Sequence, residues 1–116
     1  MEIQQIAEEV VKLIREGKNG QAKDTFYADD IVSIEGNGDK IEGIDAIHKK
    51  SADWGAQISA VHSASVSEPL VAGDHFSLYI KMDISYKNGY RAVMDEIAVY
   101  EVKDGKIVFE QFFFKS

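Results

Sequence analysis

The sequence predicts an α+β fold, with helices first and a long, bent, mostly antiparallel sheet afterwards. Three observations carry this. In the N-terminal half, apolar residues recur at three- and four-residue spacing. From about Ile58 the period falls to two. Short clusters of Asn, Asp and Gly then punctuate the second half as hairpin turns.

Ile3, Ile6, Val10, Leu13 and Ile14 line one helix face, with acids early (Glu2, Glu8, Glu9) and bases late (Lys12, Arg15), as the helix dipole favours. Gly17 is placed to end this helix. A second, short helix is expected from Asn19 to about Tyr27, ending at Asp29-Asp30. Ile31 to Glu35 reads as a strand closed by the turn Gly36-Asn37-Gly38-Asp39, with Lys40-Ile41-Glu42 returning against it. Ile44, Ile47, Ser51 and Trp54 predict a third helix. A strand then runs through Ile58–Val66 and breaks near Pro69, which has no N–H to give a ladder. The remaining strands are His75–Lys87, Tyr90–Val102 and Lys106–Phe114, joined at Asn88-Gly89 and Lys103-Asp104-Gly105. No repeat or linker interrupts residues 1–116, which read as a single domain.

Composition narrows the function. The chain of 116 residues is 45% hydrophobic and 28% charged, ordinary for a globular protein with a buried core. Twenty Asp and Glu against 13 Lys and Arg leave a formal net charge of −7. Such a surface repels phosphate backbones and anionic lipid, so neither nucleic acid nor a membrane is expected as partner. There is no cysteine, which excludes disulfides, thiolate nucleophiles and zinc–thiolate sites. The acidic start Met1-Glu2-Ile3-Gln4-Gln5 does not read as a signal peptide, and a cytoplasmic location is the expectation.

Hairpin geometry assigns faces. A two-residue turn at Asn88-Gly89 pairs Lys87 with Tyr90 and sets Lys81 opposite Glu96. A three-residue turn at Lys103-Asp104-Gly105 pairs Val102 with Lys106 and sets Ala98 opposite Glu110. One face then carries Tyr79, Lys81, Asp83, Met94, Glu96, Ala98, Tyr100, Glu110, Phe112 and Phe114. The other, almost wholly apolar, carries Leu78, Ile80, Met82, Ile84, Val93, Asp95, Ile97, Val99, Phe109 and Phe113. Three helices cover only one face, so a homodimer through the sheet is expected to cover the other.

Several segments resemble a known group. These are Tyr27-Ala28-Asp29-Asp30-Ile31-Val32-Ser33-Ile34-Glu35, Ile41-Glu42-Gly43-Ile44-Asp45-Ala46-Ile47, Glu68-Pro69-Leu70-Val71-Ala72-Gly73-Asp74-His75-Phe76 and Tyr100-Glu101-Val102-Lys103-Asp104-Gly105-Lys106-Ile107. Together, and in this order, they are similar to the ketosteroid-isomerase and SnoaL-like polyketide-cyclase group of the nuclear-transport-factor-2-like superfamily. The resemblance implies a cone: a bent sheet wrapping the first helix, with a pocket at the open end and dimers through the sheet. It covers nearly the whole chain. The superfamily spans isomerases, cyclases, dehydratases, hydrolases and proteins without chemistry, so fold alone does not choose among them.

The steroid isomerase moves a proton with a carboxylate base and an oxyanion hole of a tyrosine and a protonated aspartic acid. By the resemblance Glu35 takes the base position, with one more methylene of reach, and Tyr27 matches a pocket tyrosine. The oxyanion aspartate falls on Ala98 and the oxyanion tyrosine on the stretch around Val10 and Val11, so both donors are missing. The resemblance turns the acid-bearing face inward, whereas periodicity turns the apolar face toward the helices. A dimer interface accounts for the apolar face, which favours the former.

The candidate proton-transfer or anchoring cluster is therefore Glu35, Asp83, Glu96 and Glu110, since an inward carboxylate needs a partner or a raised pKa. Candidate ligand contacts are Tyr27, Trp54, His62, Tyr79, Lys81, Met94 and Phe112. Against this stands a plainer reading, in which Lys81 pairs with Glu96 and the other acids reach water. His48 reads as a surface residue, His75 as structural, and the scattered histidines make no metal signature. No phosphate loop or nucleophile motif is present, so no cofactor is expected. Two functions remain: a protein binding a small, mostly apolar organic ligand and moving a proton next to its carbonyl, with Glu35 or Glu110 as base and Glu96 as protonated donor; or a non-catalytic binding or dimerisation module.

Overall fold

A computed structural model describes residues 1–114. Three helices lie in the N-terminal half: α1 (Ile3–Arg15), α2 (Asn19–Phe26) and, after two strands, α3 (Ile44–Ala56). Helix α1 buries Ile6, Ala7, Val10, Val11 and Leu13 on one side, the stripe that its spacing demands. At its far end Arg15 donates to the carbonyl of Val66 at 3.0 Å and to Glu68 at 2.8 Å, tying the helix to the sheet. Helix α3 starts from Gly43, whose φ of 91° lets the chain turn in from the preceding strand.

The strands are β1 (Tyr27–Ile34), β2 (Lys40–Glu42), β3 (Ile58–Val66), β4 (Leu70–Ala72), β5 (His75–Tyr86), β6 (Arg91–Lys103) and β7 (Lys106–Phe114). They form one bent, unclosed, mixed sheet in the order β2-β1-β7-β6-β5-β3. Only β1 and β7 are parallel neighbours. Strands β3 and β4 share one edge of β5, and the gap between them is the segment holding Pro69. Strand β1 begins at Tyr27, four residues ahead of expectation, because Tyr27 already pairs with Ile107 before the ladder shifts. Val66, Phe76, Leu78, Ala98, Tyr100, Val102 and Ile107 close the core against the α1 stripe. The Phe76 and Tyr100 rings stack there at 4.7 Å.

Both hairpin registers differ from expectation, with different consequences. At the first turn Tyr86 N–H donates to Tyr90 O at 2.7 Å and Gly89 N–H to Tyr86 O at 2.9 Å. Lys87-Asn88-Gly89 is thus a three-residue turn, with Gly89 at φ 92° as its only left-handed residue. A two-residue primed turn would need Asn88 left-handed as well. Ile80, not Lys81, consequently faces Glu96, and every β5 side chain changes face relative to β6. At the second turn Asp104 (φ 52°) and Gly105 (φ 79°) are both left-handed, so a two-residue turn pairs Lys103 with Lys106. A bulge then leaves Val108 unpaired. Turn and bulge together shift the register by two, which keeps parity. Ala98 lies opposite Phe112 and Tyr100 opposite Glu110, but Glu96, Glu110 and Phe112 stay on one face as expected.

Gly89→Ala is expected to lower stability by about 1–2 kcal/mol, the usual cost of a left-handed alanine. Gly20→Ala, inside α2 with open space around it, is expected to be neutral or stabilising by up to about 1 kcal/mol. Urea unfolding of the two variants checks the contrast.

Candidate functional site

Between the helices and the concave face of the sheet lies a cavity of about 1600 Å³. Val10 and Ile14 of α1, Trp54 of α3, Met82 of β5, Met94 of β6 and Phe112 of β7 form its apolar walls. Ionisable groups reach it from every layer, among them Lys23 (α2), Glu35 (after β1), Lys50 (α3), Glu96 (β6) and Glu110 (β7), with the Tyr27 phenol beside the last.

Glu110 is the deepest of these, at 2% exposure. Tyr27 donates its hydroxyl hydrogen to Glu110 Oε2 at 2.5 Å, a link between the start of β1 and its parallel neighbour. Burial pushes the Glu110 carboxyl above the usual carboxylate range; Tyr27, Ser33, Lys50 and Lys23 pull it part of the way back. The Ser33 hydroxyl is close enough to favour the Glu110 anion. It forms no well-shaped hydrogen bond, and is the one buried side-chain polar atom among the described residues without a partner. Burial, reinforced by the Glu110 charge, holds the Tyr27 and Tyr100 phenols well above their ordinary value.

Glu96 sits across the same face. Burial raises its pKa, the Glu35 and Glu110 charges raise it further, and Lys50 opposes them. Lys50 forms an ion pair with Glu35 and lies 5.4 Å over the Phe112 ring. Lys23 donates to Ser51 Oγ at 2.5 Å, and burial lowers its pKa against the opposing pull of Glu110. Beside Glu35, the Phe114 ring occupies the space where a Gly36 Cβ would come within 2.1 Å, so only glycine lets this ring cap the turn. Burial and neighbouring charge therefore act together on Glu96, Glu110 and Lys23 in this chamber.

Of the expected residues, Glu35, Glu96, Glu110, Tyr27, Trp54, Met94 and Phe112 do line the cavity. Asp83, Tyr79 and Lys81 do not, because the one-residue change at the first turn carries odd-numbered β5 residues to the convex face. Asp83 is held there by Arg91 through two hydrogen bonds of 3.0 and 2.9 Å, and this partner lowers its pKa. Lys81 faces Asp95, so the expected Lys81–Glu96 pair does not exist. Tyr79 is 44% exposed. His62 falls at an irregularity of β3 and its Nε2 meets Ser85 Oγ at 2.7 Å, outside the cavity lining. Lys23 and Lys50 were not foreseen. Lys50 had a signal, since it lies three residues from Ile47 and four from Trp54, on the inward face of α3. Lys23, on a helix of only eight residues, had none. Among the described residues, Asp74, His75 and Glu101 bring ligand atoms within 4.8 Å of one another outside this chamber.

The sequence profile of the SnoaL-like domain matches residues 1–114. The chain belongs to the SnoaL-like family. A solved structure from Mesorhizobium loti, labelled both a SnoaL-like polyketide cyclase and a carbohydrate phosphatase, is 38% identical over 97% of this chain and 99% of its own, with a TM-score of 0.92. A nuclear-transport-factor-2-like protein from Burkholderia thailandensis is 17% identical, covering 97% of this chain and 89% of that one, with a TM-score of 0.82. A second structure labelled a SnoaL-like polyketide cyclase, from Jannaschia sp. CCS1, is 16% identical over 96% and 85%, with a TM-score of 0.81. No curated protein matches the chain. No helix among the described residues is long and apolar enough to cross a membrane.

At the two oxyanion positions that the resemblance assigns, this SnoaL-like chamber has no donor. Ala98 is fully buried and Val10 and Val11 are 2% exposed, so the positions that the resemblance assigns to oxyanion donors are packed hydrocarbon. The polar groups that line it elsewhere include acids and amines together with the Tyr27 and Tyr100 phenols and the Ser51 hydroxyl.

The Glu96 pKa is raised, so the folded state binds more protons than the unfolded chain between the ordinary carboxylate range and the raised value. Its contribution is full below that window and is lost as pH rises through it. The stability difference between wild type and Glu96→Gln is expected to move against wild type on going from acid to neutral pH. Thermal midpoints of both proteins across the range check this, and a flat difference contradicts it.

Proposed function

We propose that this SnoaL-like protein binds a small, mostly apolar carbonyl compound and moves a proton next to its carbonyl without a cofactor. The carrying observation is that two carboxyls facing one chamber have opposite surroundings. Glu35 stands as a carboxylate in an ion pair with Lys50, whereas burial holds Glu96 toward its neutral form. Paired acids with divergent environments divide into base and acid. In this reading Glu35 removes the proton and neutral Glu96 donates to the carbonyl oxygen. Glu110 is committed to the Tyr27 hydrogen and serves to shape the field rather than as base. The polyketide-cyclase label of the relative from Mesorhizobium loti is consistent with enolising chemistry, and isomerisation, aldol cyclisation or dehydration all begin with this step.

Deuterium uptake by enolisable ketones and 1,3-diketones in D₂O, followed by NMR, tests the proposal. Exchange is expected to accelerate with the protein, and Glu35→Gln to slow it by about 10²-fold or more, the usual worth of a general base. If no carbonyl compound exchanges but one binds, the non-catalytic ligand-binding module is the better reading.

We further propose that the protein works as a homodimer through the convex face. Tyr79, Val93, Ile97 and Phe113 lie there at 44 to 57% exposure, an apolar area that no helix covers. Ile97→Lys is expected to convert a dimer to a monomer in sedimentation velocity. A wild-type monomer at micromolar concentration contradicts the proposal.

A further inference from the structure

We infer that Lys50 is the cationic partner of the oxyanion in the chamber, its ammonium acting beside the Glu96 donor in place of the donors missing at Val10, Val11 and Ala98. The substrate is then a compound whose carbonyl oxygen becomes fully anionic as it reacts: an enolate former, not merely a polar ligand. The inference rests on the proton-transfer reading above and adds the group that receives the charge.

Position comes first. The ammonium is held between Glu35 and the face of the Phe112 ring, and all three line the cavity. An ammonium has three N–H donors, and the hydrogen bond that Lys50 makes among the described residues goes to Glu35. Donors therefore remain for a second oxygen. The charge of Lys50 acts on Glu96, Glu110 and Lys23.

The charge movement gives the reason to place a cation there. When Glu35 takes a proton from the carbon next to the carbonyl, the C–H bond breaks. Its electron pair forms the C=C bond of an enolate, and the carbonyl π pair moves onto oxygen. Glu35 becomes a neutral acid at the moment the oxygen becomes an anion. Lys50 stays protonated throughout and exchanges one oxygen partner for the other, within reach of its flexible stem. The negative charge changes place and no net charge is made in a low-dielectric chamber, where separated charge is expensive. Return of the proton from Glu35 to carbon restores the ion pair. Lys23 is a weaker candidate for this role: it is engaged by Ser51, and burial disfavours its charged form.

The probe is 2-naphthol, an apolar enol whose ionised form has its own fluorescence. Wild type is expected to bind it with its ionisation displaced to lower pH by about one unit or more, as a cation in contact with an oxyanion does. Lys50→Met is expected to lose that displacement, a drop of about tenfold or more in preference for naphtholate. Lys50→Arg is expected to keep most of it. Glu35→Gln separates this role from a structural ion pair. Freeing the ammonium should strengthen naphtholate binding, whereas a structural pair makes Glu35→Gln and Lys50→Met equally harmful. Loss on Lys23→Met instead of Lys50→Met overturns the inference, as does naphtholate binding that Lys50→Met leaves intact. If wild type binds neither form of 2-naphthol, the ligand-chamber reading fails and takes the inference with it. If it binds the neutral form alone, only the inference fails.

Discussion

A carboxyl group buried to 2% exposure in the wall of a sheet cannot be left without hydrogen bonds, and the Tyr27–Glu110 bond meets that demand here. Its geometry constrains much else. Tyr27 must leave α2 directly into β1, which accounts for a strand that begins where a helix ends. Strand β1 lies parallel to β7, the one parallel pairing among the described residues, and the bond spans that pair. Once those two strands are joined, Glu35 at the far end of β1 is carried to the same chamber as Glu110. The bend of the remaining strands then wraps the pair around α1. Residues that act on Glu110 thus also set the frame of the cavity, so stability and chemistry are drawn from the same bond.

The architecture was legible because it rests on periodicity. The helix stripe of Ile6, Val10 and Leu13, the change of period near Ile58, and the break at Pro69 are strong signals that local physics alone can set. The faces of β6 and β7 were legible for a less comfortable reason. The turn at Asp104-Gly105 is one residue shorter than its sequence suggests and a bulge follows at Val108, and the two differences cancel in parity. No such compensation exists at Gly89. There the choice between a two- and a three-residue turn depends on whether Asn88 turns left-handed, a balance of order 1 kcal/mol that composition does not reveal. That single residue moved Asp83, Lys81 and Tyr79 out of the cavity and brought Ile80 and Met82 in.

The same shift resolves the conflict between periodicity and resemblance. Periodicity turned the apolar face of the sheet inward, and the resemblance turned the acidic face inward. Each is right for part of the sheet. Strand β5 sends its hydrocarbon, Leu78, Ile80 and Met82, into the concave side, while β6 and β7 send Glu96 and Glu110 beside it. An apolar wall next to an acidic one suits a molecule that is mostly hydrocarbon with one reactive oxygen. Two uniform faces would not have produced that mixture.

The helices supply what the sheet lacks. Side chains from β6 and β7 reach the chamber as acids, and those from α2 and α3 as Lys23 and Lys50. Acids alone would repel one another and drive their pKa values up until most were neutral. Cations alone would leave no base. Placing the two signs on different layers pairs Glu35 with Lys50 at one side and leaves burial to raise the Glu96 pKa at the other, within a single cavity. Lysines on helix faces are also weakly constrained by packing, which is why no periodic signal announced Lys23. A cone of this kind can therefore exchange buried neutral donors for flexible amines without disturbing its core. Ala98, Val10 and Val11 keep their packing roles, and the electrostatic role passes to side chains that enter from another layer.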